Sequence, residues 1–410
     1  MKNTVDLGCF DPRGTQRGGP GFRGWQGGAG RGFDITGDLA GTSTWYLAGP
    51  LQPGTWHLAQ YFLKSTPSGL KYKYTITLSF EGVKPPKRMV RPPTYSPGIL
   101  DEKAGWYAGN LHCHSVHSDG ALSLVELAKR NRKFGFNFMA STEHNTPAAH
   151  FRFFEVAKEV PDLLLLEGTE LTTPGGHANI IGQKPGYWWD FRTQPGDGGL
   201  ALLLKEVAQQ KAIFMINHPF AMCTSCPWLF KPGEWKGANG IEVWNGAWDL
   251  TDQKAVDWWD SLLKQGQRLN AYGGTDYHRG EDPPLPVSWT YAKNLSGKEI
   301  LEGLRRGHVA LSASVEAPRV ELWLDGKMPG STVKGRADST LKILVKGGKG
   351  KKLYLRTAAG PIQERALSYD DEACEIPLST IGAFFIRAEL RDAGGNSTML
   401  AMTNAVFVGP

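Results

Sequence analysis

Six histidines and three carboxylates stand in short polar motifs, and nearly every one closes an apolar run. The motifs are Asn110-Leu111-His112-Cys113-His114 with Ser118-Asp119-Gly120, Thr142-Glu143-His144-Asn145, Gly168-Thr169-Glu170, Gly176-His177-Ala178-Asn179, Asn217-His218-Pro219 and Gly274-Thr275-Asp276-Tyr277-His278. Neutral imidazole and carboxylate are the ligands that Zn²⁺, Mn²⁺ and Fe²⁺ share. A structural zinc site closes with four ligands, so nine candidates point to two or three divalent ions joined by bridging groups. Such centres ionise a bound water near neutral pH, and the chemistry this set implies is metal-assisted hydrolysis.

One His-x-His pair alone would fit two satisfied core histidines equally well. The combined order and the strand-end placement favour ligands. His177, inside a Gly-rich loop, stays open between a ligand and a group that supports one. His117 follows His114 by three residues, as a proton donor or a group orienting a ligand. Arg279 either clamps a phosphate or carboxylate with its planar fork or is an exposed loop arginine. Asn145, Asn179 and Asn217 are expected to hydrogen-bond ligands rather than bind metal. His57 and His308 lie away from the motifs and read as structural. Trp188, Trp228 and Trp248 follow strand ends, where they either pack in the core or wall a pocket for an aromatic group.

The elements that must position these residues change twice along the chain. Residues 1–100 are rich in Gly, Pro, Thr and aromatics. The Gly-rich stretch from Arg13 to Phe33 superficially looks like an RNA-binding tract, yet Phe22, Trp25, Phe33 and Ile35 are spaced like buried anchors. Strands are expected over 54–62 and 72–78, giving an N-terminal β-sandwich. A stiff Pro-rich connector follows at 84–93. From 104 to 315 apolar runs alternate with helical patterns. Runs at 136–140, 163–166, 212–216, 240–244, 269–272 and 308–311 read as strands, several buried on both faces. Helices are expected from Leu124 (capped by Ser123) to about Gly135, and near 200–210, 252–265 and 298–306. This alternation predicts an α/β barrel, whose active sites gather at the C-terminal strand ends. After Glu316 helices stop, and runs at 320–324, 341–345, 352–356, 384–388 and 405–408 predict a C-terminal β-sandwich over 316–410.

Charge is nearly balanced, with 46 basic and 40 acidic residues, which gives no strong nucleic-acid signal. No apolar run approaches the ~20 residues needed to span a bilayer. The N-terminus lacks the apolar stretch of a secretory signal, so a cytoplasmic protein with no membrane partner is expected. Five cysteines at irregular spacing do not make a disulfide scaffold. Cys223 and Cys226 form the only tight pair, open between a redox or zinc half-site, a disulfide, a lid contact and a coincidence of the loop. Cys113, between two candidate ligands, is expected to point away from them because strand side chains alternate.

On these motifs the segment 104–315 resembles the PHP family, named for polymerase and histidinol phosphatase. Its first motif is matched by His112, His114 and Asp119, and the later ones by His144, Glu170, His177, His218, Asp276 and His278, in the family's order. Glu143 stands where the family has Asp, next to the expected ligand His144. The flanking β regions and residues 106–111 resemble the branch that includes carbaryl hydrolases. The resemblance implies a first ion on His112, His114, Glu170 and Asp276, a second sharing Glu170 with His177 and His218, and a third on Asp119, His144 and His278. It also implies a distorted (β/α)7 barrel between the two β-sandwich domains, and a phosphoesterase in which a metal-bridged hydroxide attacks phosphorus. The alternative is a carbamate or carboxylic ester hydrolase using the same Zn, Mn or Fe centre. In either case the substrate is a small-molecule ester, anionic or aromatic. A non-catalytic binding or scaffold protein is the third reading, though such a relic should have lost ligands and this chain has lost none.

Overall fold

The computed structural model describes residues 4–27, 32–64, 69, 71, 73–79, 95–223, 225–281, 285–335, 338–377, 384–394 and 398–409. The N-terminal strands β1 (Thr4–Phe10), β2 (Phe22–Gln26) and β3 (His57–Lys64) form one antiparallel sheet in the order β2-β1-β3. This corrects the expected β-sandwich: among the described residues no second sheet accompanies it, and 73–79 form no strand. Its buried aromatic face is covered by the central part of the chain instead. Phe22 stacks on Trp188 at 4.7 Å and Trp25 lies 4.1 Å from Phe191. The Pro-rich connector at 84–93 lies outside the described residues.

The central part runs β4 (Gly105–Asn110), α1 (Leu124–Lys133), β5 (Phe138–Ser141), α2 (Phe153–Glu159), β6 (Leu164–Thr173), β7 (Gly176–Ile181), α3 (Gly199–Gln210), β8 (Ile213–Ile216), β9 (Gly240–Asn245), α4 (Leu250–Lys264), β10 (Asn270–Gly274), β11 (Val287–Ala292), α5 (Gly297–Arg306) and β12 (Val309–Ser312). Local chemistry sets the helix ends. Ser123 with Glu126 and Asp249 with Asp252 form capping boxes at α1 and α4, and α5 stops at Gly307 with φ +74°. The apolar runs form strands buried along their whole length, as in β5 and β8. Strand and helix do not alternate throughout, because β6 and β7 form an antiparallel hairpin. Gly176 makes its turn at φ +120°, where a Cβ would meet the Trp228 ring at 2.8 Å.

Strand order is β10-β9-β8-β7-β6-β5-β4-β11-β12, and the sheet is not closed as the barrel expectation required. The edge of β10 is satisfied by side chains rather than by a neighbouring ladder. The Gly273 N–H donates to Ser288 Oγ (3.0 Å), whose hydroxyl donates back to the Gly273 carbonyl (2.8 Å). Asn404 does the same for Ala271, at 2.5 and 3.2 Å. Beyond their C-terminal ends β4 and β10 do meet: the Asp276 N–H donates to the His112 carbonyl and the His114 N–H to the Tyr277 carbonyl.

Among the described residues the remaining elements are all strands: β13 (Arg319–Leu324), β14 (Thr332–Lys334), β15 (Thr340–Lys346), β16 (Lys352–Thr357), β17 (Gly360–Ala366), β18 (Glu372–Pro377), β19 (Phe385–Arg391), β20 (Met399–Thr403) and β21 (Val406–Gly409). A sheet β13-β15-β18 contributes Val320, Leu322 and Ile343 to a core shared with Leu353, Leu355 and Ala388 of β16 and β19. The second layer is not a separate sheet, since β20-β19-β16-β17 continues the central one through β12, with Leu311 opposite Met402. Arg387 is fully buried in β19, paired with Asp260 of α4 at 2.6 Å and Glu389 at 2.7 Å. Among the described residues no helix is long and apolar enough to cross a membrane.

Candidate metal centre

All nine motif residues meet beyond or near the C-terminal ends of the central strands, with Glu170 in the middle. Its Oε1 lies 3.3 Å from His112 Nε2, 3.2 Å from His177 Nδ1 and 3.3 Å from His218 Nε2. Its Oε2 lies 2.9 Å from His144 Nδ1 and 3.4 Å from His114 Nε2. Asp276 Oδ1 stands 3.3 Å from His112 Nε2 and 3.1 Å from His114 Nε2. On the outer side Asp119 approaches His278 Nε2 at 3.2 Å and His144 Nε2 at 3.6 Å. The His278 Nδ1–H donates to the Asp276 carbonyl (2.8 Å), which leaves Nε2 as the free lone pair. Ligand atoms of His112, His114 and Asp276, of His144, Glu170 and His177, and of His114, Asp119, His144 and His278 each fall within 4.8 Å of one another.

Three residues of this rim hold left-handed backbone: Asn145 at φ +55°, His218 at +24° and Asp276 at +47°. Each turns the chain sharply just past a strand, so that its own or a neighbouring side chain faces inward.

The donor set fits divalent ions. His112 Nε2, Glu170 Oε2 and His218 Nδ1 are buried without a hydrogen-bond partner, although groups of complementary type surround them. Buried imidazole nitrogens and carboxylate oxygens converging in this way are what a cation would satisfy. The charges agree. Burial favours the neutral acid of Glu170, but His144, His112 and His177 outweigh it and hold the carboxyl well below the usual range. Asp276 is depressed in the same way against its own burial, chiefly by His112 and His114. Burial disfavours protonation of His144, yet Glu170 and Asp119 push that imidazole up to about 9. Carboxylates that strongly attract protons onto imidazole are poised to attract metal ions in their place.

The other predicted residues fall outside this cluster. His117 is a buried imidazole bonded to Ser115 Oγ at 3.1 Å, pushed down to about 3 by burial and the Arg152 charge. Arg279 is exposed at the rim, its Nη2 3.4 Å from the Asp119 carbonyl. Asn217 donates to Glu170 Oε1 at 2.9 Å, Asn179 to the Leu111 carbonyl and Asn145 to the Thr172 carbonyl. Trp188 donates to the Gly19 carbonyl and secures the N-terminal sheet, away from the pocket wall considered for it. Trp248 packs edge-on against Trp244, and Trp228 lies beside the Gly176 that precedes His177. Cys113 points its Sγ at the Ala140 carbonyl, as alternation predicts. His57 is exposed on β3, and His308 sits at the far end of α5.

Sequence reasoning missed the groups that hold the ligands. Glu242 of β9, 1% exposed, accepts from His112 Nδ1 (2.9 Å), the His218 N–H (3.0 Å) and Asn245 Nδ2 (3.0 Å). Its signal was an acid inside the apolar run Gly240–Trp244, where a buried charge requires partners. Thr172 Oγ1 lies 2.5 Å from His144 Nδ1. Glu143 is buried and accepts the hydroxyls of Ser115 and Ser118, both at 2.5 Å, and Ser118 Oγ lies 3.2 Å from His114 Nδ1.

No protein-family profile matches the chain. A segment of 75 residues is 40% identical to a 5'-3' exoribonuclease of Haemophilus influenzae, covering 18% of this chain and 27% of that protein. A segment of 52 residues is 44% identical to the DNA polymerase/3'-5' exonuclease PolX of Bacillus subtilis, covering 13% of this chain and 9% of that one. The chain therefore spans well under a third of the length of either relative. Among solved structures, a two-domain Bacteroides vulgatus protein containing a predicted PHP-like metal-dependent phosphoesterase superposes with a TM-score of 0.43 at 19% identity, over 74% of this chain and 96% of that one. A Chromobacterium violaceum amidohydrolase superposes with a TM-score of 0.33 at 18% identity, over 43% of this chain and 89% of that one. Nine candidate ligands stand in six motifs in the order of the PHP family, and all nine side chains gather at one point of a mixed α/β fold; in this the central part of the chain is similar to PHP proteins.

Proposed function

We propose that the chain is a metal-dependent phosphoesterase working with two to three divalent ions (Zn²⁺, Mn²⁺ or Fe²⁺). The observation that carries this reading is Glu170, a buried carboxylate whose two oxygens face different imidazoles, His112, His177 and His218 on one side and His114 and His144 on the other. That is the geometry of a bridging ligand. The residues would hold a first ion on His112, His114, Glu170 and Asp276, a second on Glu170, His177 and His218, and a third on Asp119, His144 and His278. When bound, such ions supply an ionised water near neutral pH and positive charge for an oxyanion. Three carboxylates leave the loaded centre electropositive, which suits an anionic ester. Arg279 at the rim is in place to pair with its charge.

A second reading keeps the residues and changes the bond to a carbamate or carboxylic ester, in line with the carbaryl-hydrolase resemblance. Trp228, packed against the Gly176 that precedes His177 in the chain, would offer it an aromatic wall. The test is turnover of bis(4-nitrophenyl) phosphate and 4-nitrophenyl phosphate against 1-naphthyl methylcarbamate, before and after chelation and reloading. Phosphoester turnover that disappears with the metal is expected. A clear preference for the carbamate would replace the first reading with the second, and full activity after verified metal removal would end both.

A further inference from the structure

Behind the Glu170 centre two of its histidines present a second set of donors. His177 and His218 each turn one ring nitrogen to Glu170, at 3.2 and 3.3 Å. Their other nitrogens face away: His177 Nε2 lies 3.3 Å from Ser225 Oγ, and His218 Nδ1 is buried with no partner. Cys226 joins them, since ligand atoms of His177, His218 and Cys226 lie within 4.8 Å of one another and all three residues are buried. Tetrahedral ligands at 2.0–2.3 Å from an ion stand about 3.5 Å apart, so a small inward adjustment closes the set. The sulfur is tied up, however, in a disulfide with Cys223.

We propose that Cys226 is a latent metal ligand, kept out of coordination by its disulfide and released by a dithiol reductant to complete a His177–His218–Cys226 site for Zn²⁺ or another borderline ion. The proposal rests on the metal-centre reading above. The loop has the right polarity for it: Cys223 is exposed and Cys226 buried. A reductant thiolate reaches Cys223 Sγ, forms a mixed disulfide there and expels Cys226 as the leaving thiolate, directed inward. The second thiol of the reductant then displaces Cys223 and leaves as the oxidised cyclic disulfide, so two electrons pass to the protein and Cys223 takes up a proton. The loop does not depend on the disulfide to hold Cys226 near the histidines. Ala221 N–H donates to the His218 carbonyl, Trp228 N–H to the Pro219 carbonyl and Leu229 N–H to the Gly175 carbonyl, at 2.9, 3.1 and 2.8 Å. Exchange of a nitrogen and oxygen environment for one containing thiolate shifts preference from Mn²⁺ toward Zn²⁺, Co²⁺ and Cd²⁺. The disulfide thus sets which ion His177 and His218 select.

The test loads the full chain with Co²⁺ in two states, oxidised, and reduced by dithiothreitol that is removed before cobalt is added. The readout is the thiolate-to-cobalt charge-transfer absorption beside the cobalt d–d bands. The band is expected in the reduced chain, absent in the oxidised chain and lost in reduced Cys226→Ser. Cys223→Ser should show it without any reductant, which guards against a misfolded Cys226 variant. Cobalt d–d bands with no charge transfer in both the reduced chain and Cys223→Ser would overturn the proposal while leaving the metal centre standing. A band that survives Cys226→Ser would assign the sulfur to another cysteine and overturn it too. Failure to bind cobalt in either state would overturn the metal centre itself.

Discussion

Glu242→Gln tests the site at a residue that holds two of the candidate ligands, His112 and His218. In the native chain the two carboxylate oxygens accept from His112 Nδ1 on one side and from the His218 N–H and Asn245 on the other. This fixes the proton of His112 on Nδ1 and leaves Nε2 as a lone pair facing Glu170 and Asp276. Glutamine fills the same volume but has one acceptor. If its oxygen takes the His218 N–H, its amide N–H₂ faces His112 Nδ1 and drives the ring proton to Nε2, where the ion belongs. If it flips, the amide opposes the His218 N–H and displaces that ligand. Either orientation damages one ligand, and loss of such an orienting carboxylate typically weakens metal binding about 10–100-fold, or ~1.4–2.7 kcal/mol. The assay is competition with a fluorescent chelator for Mn²⁺ and Zn²⁺, with the melting temperature of the metal-free protein as a control on folding. Affinities within about twofold of the parent for both ions would refute the role assigned to Glu242.

Two further outcomes follow from exposure and charge. The third ligand set is the most open, with Asp119, His278 and His144 side chains 46%, 28% and 18% exposed against 1% for Glu170. Asp119→Ala should therefore lose about one ion per chain by elemental analysis and keep the inner pair, whereas His218→Ala should disrupt that pair; an unchanged metal count in Asp119→Ala would contradict this. In the C-terminal layer burial disfavours ionisation of Glu389, but Arg387, Arg391 and Arg356 hold its carboxyl down to about 2. The stability it contributes is complete above the unfolded value of about 4.3 and is lost as pH falls through 2. Glu389→Gln, which leaves buried Arg387 with only Asp260, should cost about 3–5 kcal/mol in urea unfolding at pH 7, and the deficit should shrink at pH 3.

The motifs were legible because metal ligands are polar residues that end apolar runs, and His144, His218, Asp276 and His278 stand out there. Glu242 was not, since one acid within Gly240–Trp244 looks like a minor break in an apolar strand until its partners are known. Many elements of the central region were readable from caps and apolar runs, but β4, α2 and β11 were not, nor was the β6–β7 hairpin, where the Gly-rich stretch around His177 was read only as a loop. Long-range pairing was the blind spot. Nothing local in Val309–Ser312 or Met399–Thr403 announces that β12 and β20 are neighbours, and nothing in β10 says that Ser288 and Asn404 will satisfy its edge. The N-terminal anchors Phe22 and Trp25 were recognised as buried, but their partners, Trp188 and Phe191, lie more than 150 residues away.

The left-handed backbone at Asn145, His218 and Asp276 makes the rim of the centre a set of loaded springs. Asn and Asp enter this conformation more readily than His does, yet each such residue holds on the order of 1–3 kcal/mol. Three together rival the ~5–15 kcal/mol of net stability typical of a native protein. Ions that bind the folded state alone would shift the balance toward it. Selection for heat resistance that relaxed these loops would swing His218 and Asp276 away from Glu170, so thermal robustness and metal competence pull against each other at the same residues.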